Sequence, residues 1–561
     1  MFNLITIKYV WQKIRLFVAL VKNYAAIRFF LLFILLLIIY RTAFSIPPRS
    51  DFWHMFYFFH HLDQFPGAVK WLHVINYDFF EQMRYQPIPP LLFYLYHLVF
   101  GSYFIQFNNI INFIFYFLSL CLAYKFITNF CKDQTLAFVF IALLSLLFSH
   151  ADMLFWSYHS YLFLGFSIFM SGLLKYIDFL KTGRKVLLAY VALAMFLAMI
   201  FYEPFFFWPL VIVILASLNS YKKGPKFPGV KIIKLNTTLL IAIYSAYFMV
   251  YFLTRALRTY QYQSHGLYEF FSIFNILKGV FAALANIAYN NILVNLMPFL
   301  ALPLSIRENV DLGGGAIHFI ESAPAAVFLV GAILAVLVVL LAAYFIKRKY
   351  FEELKIIALL AFLPCTYVFI IVLGRLITND VSYTFKQFRY QYVPNLFMVL
   401  LVIFLLDRFG KNLYGKCGRV FMITVIVISN ILCISKLEYL YAHQFSGLKR
   451  MLSSVRGGIQ QKEINATHKL YIDPELPEYL PVLCWNIEIG ERFIPEGNYQ
   501  WVFSAKEINY FTDNLQDAAW LIDKKDFGIL ANTPENAARR VAKVDSSGSI
   551  EDRAYIYVNK D

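Results

Sequence analysis

Asp51 and His54 stand three residues apart in "RSDFWHMFYFF" (49–59), directly after a long apolar run. On a helix that spacing puts both on one face. A carboxylate that is ionised at neutral pH acts as a general base when a hydroxyl comes within hydrogen-bond reach. Two further acids sit at the edges of apolar runs: Asp152 in "SHADMLFWSYH" and Glu203 in "FYEPFFFWP". Asp78 and Glu81 read as solvated loop charges. The cations facing these acids are Arg255, Arg258, Arg375 and Arg389, the last followed by Tyr390, with Lys386 nearby. Guanidinium groups at headgroup level can bind phosphate bidentately. Each residue also has a plain reading. An acid at a helix start complements the helix dipole, and an arginine at a span end snorkels to lipid headgroups.

Those residues need a scaffold, and composition says which kind. The 561 residues are 60% hydrophobic, 19% aromatic and only 15% charged, against roughly 25% charged in soluble domains. Repeated apolar runs of near-spanning length imply a polytopic α-helical membrane protein. After about residue 437 the chain turns polar. "KLYID", "YQWVF", "AWLID" and "AYIYV" there read as short strands of a small soluble α/β domain over 438–561. The net charge of +16 does not mark a nucleic-acid binder, because the basic residues fall in short linkers between apolar runs. The first 25 residues are basic and amphipathic and read as an interfacial helix rather than a cleavable signal.

Eleven spans are expected: 26–46, 104–128, 134–150, 154–180, 186–202, 204–220, 235–255, 325–346, 353–373, 391–408 and 418–437. With that count, the basic stretches at 8–22, 125–132, "KTGRK" (181–185), 221–234, "KRKYFEELK" (347–355) and 407–419 all fall on one side. That side is cytoplasmic by the positive-inside rule. The long segments 47–103 and 256–324, and the C-terminal domain, then lie outside an inner or plasma membrane. Within 256–324, the apolar piece 281–304 reads as re-entrant or interfacial helices with no net crossing. Asp51, Asp152 and Glu203 come out at one membrane surface, and so do the four arginines.

Weaker signals carry less. "HH" (60–61) with Asp63 is too sparse for a metal site, and "DLGGGAIHF" (311–319) lacks the Gly-Lys-Ser/Thr of a phosphate loop. "NAT" (465–467) is a glycosylation sequon. Cys484 is the single cysteine after residue 437, so no disulfide framework forms within that domain.

Taken together, these residues resemble the GT-C-type integral-membrane glycosyltransferases, which include protein O-mannosyltransferases and bacterial aminoarabinose transferases. The likeness spans the architecture of residues 1–437. An acid (Asp51) opens a long first outer loop, a proline-led aromatic segment "QPIPPLLFYLYHLVFG" follows, and "YEP" (202–204) and "RYQYVP" (389–394) are similar to short stretches of bacterial members. The paired acid common in that family is absent, since Phe52 and Trp53 follow Asp51, so no divalent metal is implied. The resemblance implies transfer of a sugar from a polyprenyl-phosphate donor to a glycan, lipid or protein acceptor. Asp51 would be the general base. Arg389 with Tyr390, and Arg375 or Arg258, would bind the lipid phosphate. Glu203, Asp152 and His54 would hold donor or acceptor. Two other classes are weighed on sequence: a polymerase or ligase using lipid-diphosphate donors, which depends on the arginines but not on Asp51, and a transporter or flippase, which predicts intramembrane charges, broken helices near the midplane and internal repeats; the expected spans carry few ionisable residues and no obvious repeat, which counts against the latter.

Overall fold

In an apolar bundle every backbone polar group must find a partner inside the protein, and the helix is the local solution. The computed structural model describes residues 25–44, 62, 66–75, 87–100, 104–155, 160–222, 229–256, 273–298, 324–377, 390–409, 424–438, 453–455, 457–471, 510–512, 515–522 and 529–537. The helices are α1 (Ala25–Ile39), α2 (Gly67–Ile75), α3 (Ile88–Phe100), α4 (Phe104–Ile127), α5 (Gln134–Ser145), α6 (Phe148–Phe155), α7 (Ser160–Thr182) and α8 (Val186–Phe201). They continue with α9 (Val211–Lys222), α10 (Gly229–Ala256), α11 (Ile273–Leu296), α12 (Pro324–Lys347), α13 (Phe351–Ile377), α14 (Tyr392–Phe409) and α15 (424–438). The protein is therefore a polytopic helical one.

Among the described residues, six helices are long and apolar enough to cross a membrane, and the bent pair α5–α6 would make a seventh. Five of the six, α4, α7, α10, α12 and α13, coincide with expected spans. The sixth is α11, from the stretch expected to make no crossing. Gly279 meets Phe369, and Phe281 meets Gly331, both within about 12 Å of their helix ends at 1.5 Å per residue. The other half of α11 meets Gln391 and Asn395, at the start of α14.

The basic linkers gather at one end of the bundle, tied by side-chain contacts between helices. Phe29 at the start of α1 packs edge-on against Tyr124 of α4 and Phe138 of α5, at 5.1 and 5.3 Å. Lys181 at the end of α7 donates to Asn129 Oδ1 after α4, at 2.7 Å. The Asp407 carboxylate near the end of α14 accepts the backbone N–H groups of Lys132 and Asp133, and Asp133 in turn caps α5 through Thr135 and Leu136. Arg408 pairs with Glu353 of α13 at 2.6 Å. The linkers 128–133, 183–185 and 348–350 and the close of α14 thus share one end, as positive-inside clustering demands. Between Asp133 and Asp407 lies the buried Cys131. Burial first, and then the two carboxylates, push its thiol up to about 12.

Residues after 438 supply all the strands found among the described residues. β1 (Lys469–Tyr471), β2 (Phe511–Thr512), β3 (Ala518–Ile522) and β4 (Ile529–Ala531) form one sheet in the order β2-β1-β3-β4. β1 runs parallel to β2 and β3, and β4 is antiparallel to β3. "KLYID" and "AWLID" mark β1 and β3; the expected strands at 499–503 and 554–558 lie outside the described residues.

Two measurements test this packing. At Gly331 an added Cβ would run into the backbone carbonyl of Phe281, which cannot rotate away. Gly331→Ala should therefore cost about 1–3 kcal/mol, read as a lowered unfolding midpoint in detergent; an unchanged midpoint would mean α11 and α12 are not in contact there. In a variant keeping Cys131 as its sole cysteine, maleimide at pH 8 should label the denatured protein and leave the native one unmodified.

Candidate functional site

α5 ends at Ser145 with no proline or glycine to stop it, and α6 leaves at 65° to it. Such a break releases carbonyls into apolar surroundings. Two come back as turn acceptors, Leu143 O for Leu146 N and Leu144 O for Leu147 N. Ser145 O is caught by two distant side chains: the Tyr40 hydroxyl donates to it at 3.0 Å and the Tyr116 hydroxyl at 2.9 Å.

The first turn of α6 then faces a cluster of buried carboxamides. Ser149 Oγ donates to Asn295 Oδ1 at 3.2 Å, Asn295 Nδ2 to Asn395 Oδ1 at 2.6 Å, and Asn395 Nδ2 to Ser149 Oγ at 2.7 Å. The three bonds close a ring in which every member both donates and accepts, and each polarises the next. Asn291 Nδ2 adds a second donor to Asn395 Oδ1 at 2.6 Å, and Gln391 Nε2 donates to Asn286 Oδ1 at 3.2 Å. Asn395 Nδ2 also faces His150 Nε2 at 3.2 Å, with Tyr116 on the Nδ1 side at 3.5 Å. Asn430 of α15 donates to Asn295 O. Tyr392 closes the floor through a hydroxyl contact with Ser119, its ring 4.7 Å from Phe163.

The geometry depends on an irregular turn. Asn286 and Asn291 are five apart, which on an α-helix separates them by about 140°. Residues Ile287–Leu293 form a π-helix, whose wider turn returns Asn291 to the face of Asn286 and Asn295. The network leaves both side-chain atoms of Asn290, Asn291 Oδ1 and Gln391 Oε1 without a hydrogen-bond partner. These groups are neutral acceptors and donors suited to hydroxyls or water. None of the carboxamides can move a proton.

Of the sequence-predicted residues, Asp51, His54, Arg258 and Arg389 lie outside the described residues. The backbones of Asp152 and Arg375 are placed in α6 and near the end of α13, while their side chains are outside the description. Glu203 and Tyr390 are described in full. Glu203 opens a 3-10 turn, Glu203–Phe205, and is half-buried; its carbonyl accepts Phe206 N at 2.8 Å. Tyr202 before it stands edge-on to Tyr161 at 5.9 Å and lies 6.0 Å from Tyr367 of α13. Phe205 stacks on Trp208 at 4.3 Å, and Trp208 Nε1 donates to Leu363 O, one residue before Pro364. Tyr390 is buried and lies within electrostatic range of the same Tyr367.

The turn of Glu203 packs on α13 through Tyr202 and Tyr367, and α14 packs on α13 as well. α6, which carries Asp152, packs on α14 beside them. α13 and α14 reach the basic linkers through Glu353 and Asp407 at one end, so Arg375 near the close of α13 and Tyr390 before α14 belong to the opposite helix ends. The carboxamide junction was not singled out from sequence; four asparagines in "ANIAYNNILVNL" (285–296) were its one visible sign.

Among the described residues no group of three or more His, Cys, Asp or Glu could hold a metal ion. The chain matches no family model and no curated protein.

The shared acceptor at the helix break makes a double-mutant cycle informative. Tyr40→Phe and Tyr116→Phe should each cost about 1 kcal/mol, because Ser145 O keeps one donor. The double variant should cost at least about 1 kcal/mol more than their sum, as the carbonyl is then orphaned in an apolar site. Strict additivity in detergent unfolding would show that the two hydroxyls do not share it.

Proposed function

We propose that the protein is a membrane glycosyltransferase that moves a sugar from a polyprenyl-phosphate donor to an acceptor on the outer face of the membrane. One observation carries this reading: Arg375 near the close of α13 and Tyr390 before α14 belong to the helix ends opposite those that reach the basic linkers through Glu353 and Asp407. On the positive-inside rule these opposite ends face outward. In this reading Asp51, carried on the loop after α1, takes the acceptor hydroxyl's proton as its oxygen attacks the anomeric carbon. The bond to the lipid phosphate breaks, and Arg389, with Arg375 or Arg258, stabilises the departing charge. Glu203, at the rim of the aromatic wall of Tyr202, Tyr367 and Tyr390, holds a sugar hydroxyl.

A second reading has its own support. The break between α5 and α6 is a helix discontinuity of the kind at which transporter sites form, and buried carboxamides face it.

Asp51→Asn in membranes supplied with radiolabelled polyprenyl-phosphate sugar separates the two. Transfer should fall by a factor of about 100 or more, as for loss of a general base, with no change in unfolding midpoint. Full transfer by Asp51→Asn removes the residue from the base role and leaves the arginine-dependent polymerase or ligase. Absence of transfer by the wild type, combined with passage of the labelled lipid across the bilayer, establishes the flippase.

A further inference from the structure

We infer that α11 is a two-position element in which Asn290 and Asn291 exchange as the donor to Asn395 while the π-helical turn moves past them. Residues Ile287–Leu293 are π-helical, and Val294 N donates to Tyr289 O, five positions back. Such a turn holds one residue more than an α-turn. Two adjacent asparagines lie inside it. Asn291 Nδ2 donates to Asn395 Oδ1 at 2.6 Å and lies 3.5 Å from Gln391 O. Asn290 is fully buried, and neither its Nδ2 nor its Oδ1 has a hydrogen-bond partner. A buried carboxamide left in that state is costly.

Spacing gives the orphan a use. Asn286 and Asn295 are nine positions apart. In the structure that interval divides as five and four, from Asn286 to Asn291 by the wide turn and from Asn291 to Asn295 by an ordinary one. It divides equally well as four and five, with the wide turn after the middle asparagine instead of before it. Asn290 then stands where Asn291 stands, one α-turn from Asn286 and one wide turn from Asn295. Both ends keep their places. Asn286 stays with Gln391 Nε2, and Asn295 stays in its ring with Ser149 and Asn395.

The residues between the two ends turn about the helix axis, and the flanks hold. Gly279 meets Phe369 of α13 on one side, and Phe281 meets Gly331 of α12; the carboxamide ring holds the other side. Each state satisfies one of the two asparagines and orphans its neighbour, so neither wins by hydrogen-bond count. Such a balance is what a bistable element requires. The exchange alters what faces the start of α14, where Gln391 O and the unpartnered Gln391 Oε1 lie.

The test uses the full-length protein in detergent. Asn290→Leu in the wild-type background should leave the unfolding midpoint unchanged or raise it, because an orphaned amide is gone. Asn291→Leu should fold with a small loss, because Asn290 takes over the bond. Adding Asn290→Leu to Asn291→Leu should lower the midpoint by several further degrees, since no donor remains. The structure of Asn291→Leu, solved by electron cryo-microscopy, should show Asn290 Nδ2 within hydrogen-bond reach of Asn395 Oδ1 and the wide turn after residue 290. If Asn291→Leu does not fold, Asn291→Ala carries both readouts. The inference is overturned if neither variant folds, if Asn290 stays unpartnered in the variant structure, or if Asn290→Leu shifts the midpoint equally in both backgrounds.

Discussion

A helix that breaks inside an apolar bundle must hand its released carbonyls to other donors, and this constraint shapes the centre of the protein. The chain between α5 and α6 could have stayed helical, since "LLSLLFSHADM" (143–153) contains neither proline nor glycine. What holds it bent is supplied from elsewhere. Tyr40 reaches Ser145 O from 105 positions away, and Tyr116 from 29. Once bent, α6 directs Ser149 and His150 at the start of α14, and the carboxamides of α11 have something to bond. Remove the bend and Asn295 and Asn395 would face hydrocarbon, where unpaired amides are costly.

The same requirement sorts polar chemistry along the bundle. At the basic end, charges are used openly: Asp407 on two backbone N–H groups, Glu353 on Arg408, Asp133 as a cap. At the junction end the described interior is built from neutral groups, amides, hydroxyls and one imidazole. Neutral groups satisfy one another without the desolvation cost of ions.

Legibility followed the range of the interactions. Continuous apolar periodicity is local, so the cores of α4, α7, α10, α12 and α13 were readable from the chain, and so were "KLY" and "AWLI" as strands. The α5–α6 break was not, because its cause is tertiary. The π-helical turn was not, because Asn286 and Asn291 are misaligned on the regular helix that a sequence reading assumes. Glu203 was recognised by its proline and its place between two apolar runs, and the structure puts it at a 3-10 turn there. The meeting of its neighbour Tyr202 with Tyr367 could not be read, since α8 and α13 lie far apart along the chain.

That meeting has a mechanical consequence. α8 ends at Tyr202, and the chain reverses through two 3-10 turns, each carrying a proline, before α9 begins. Proline fixes φ and donates no N–H, so both turns are stiff. Gly165 lets α8 approach α7 so closely that an added Cβ would sit 2.8 Å from Phe201 Cβ. Phe205 and Trp208 then wedge against α13 beside Pro364, where Trp208 supplies a donor to Leu363 O. Glu203 thus opens a turn anchored between α8 and α13 by that stack.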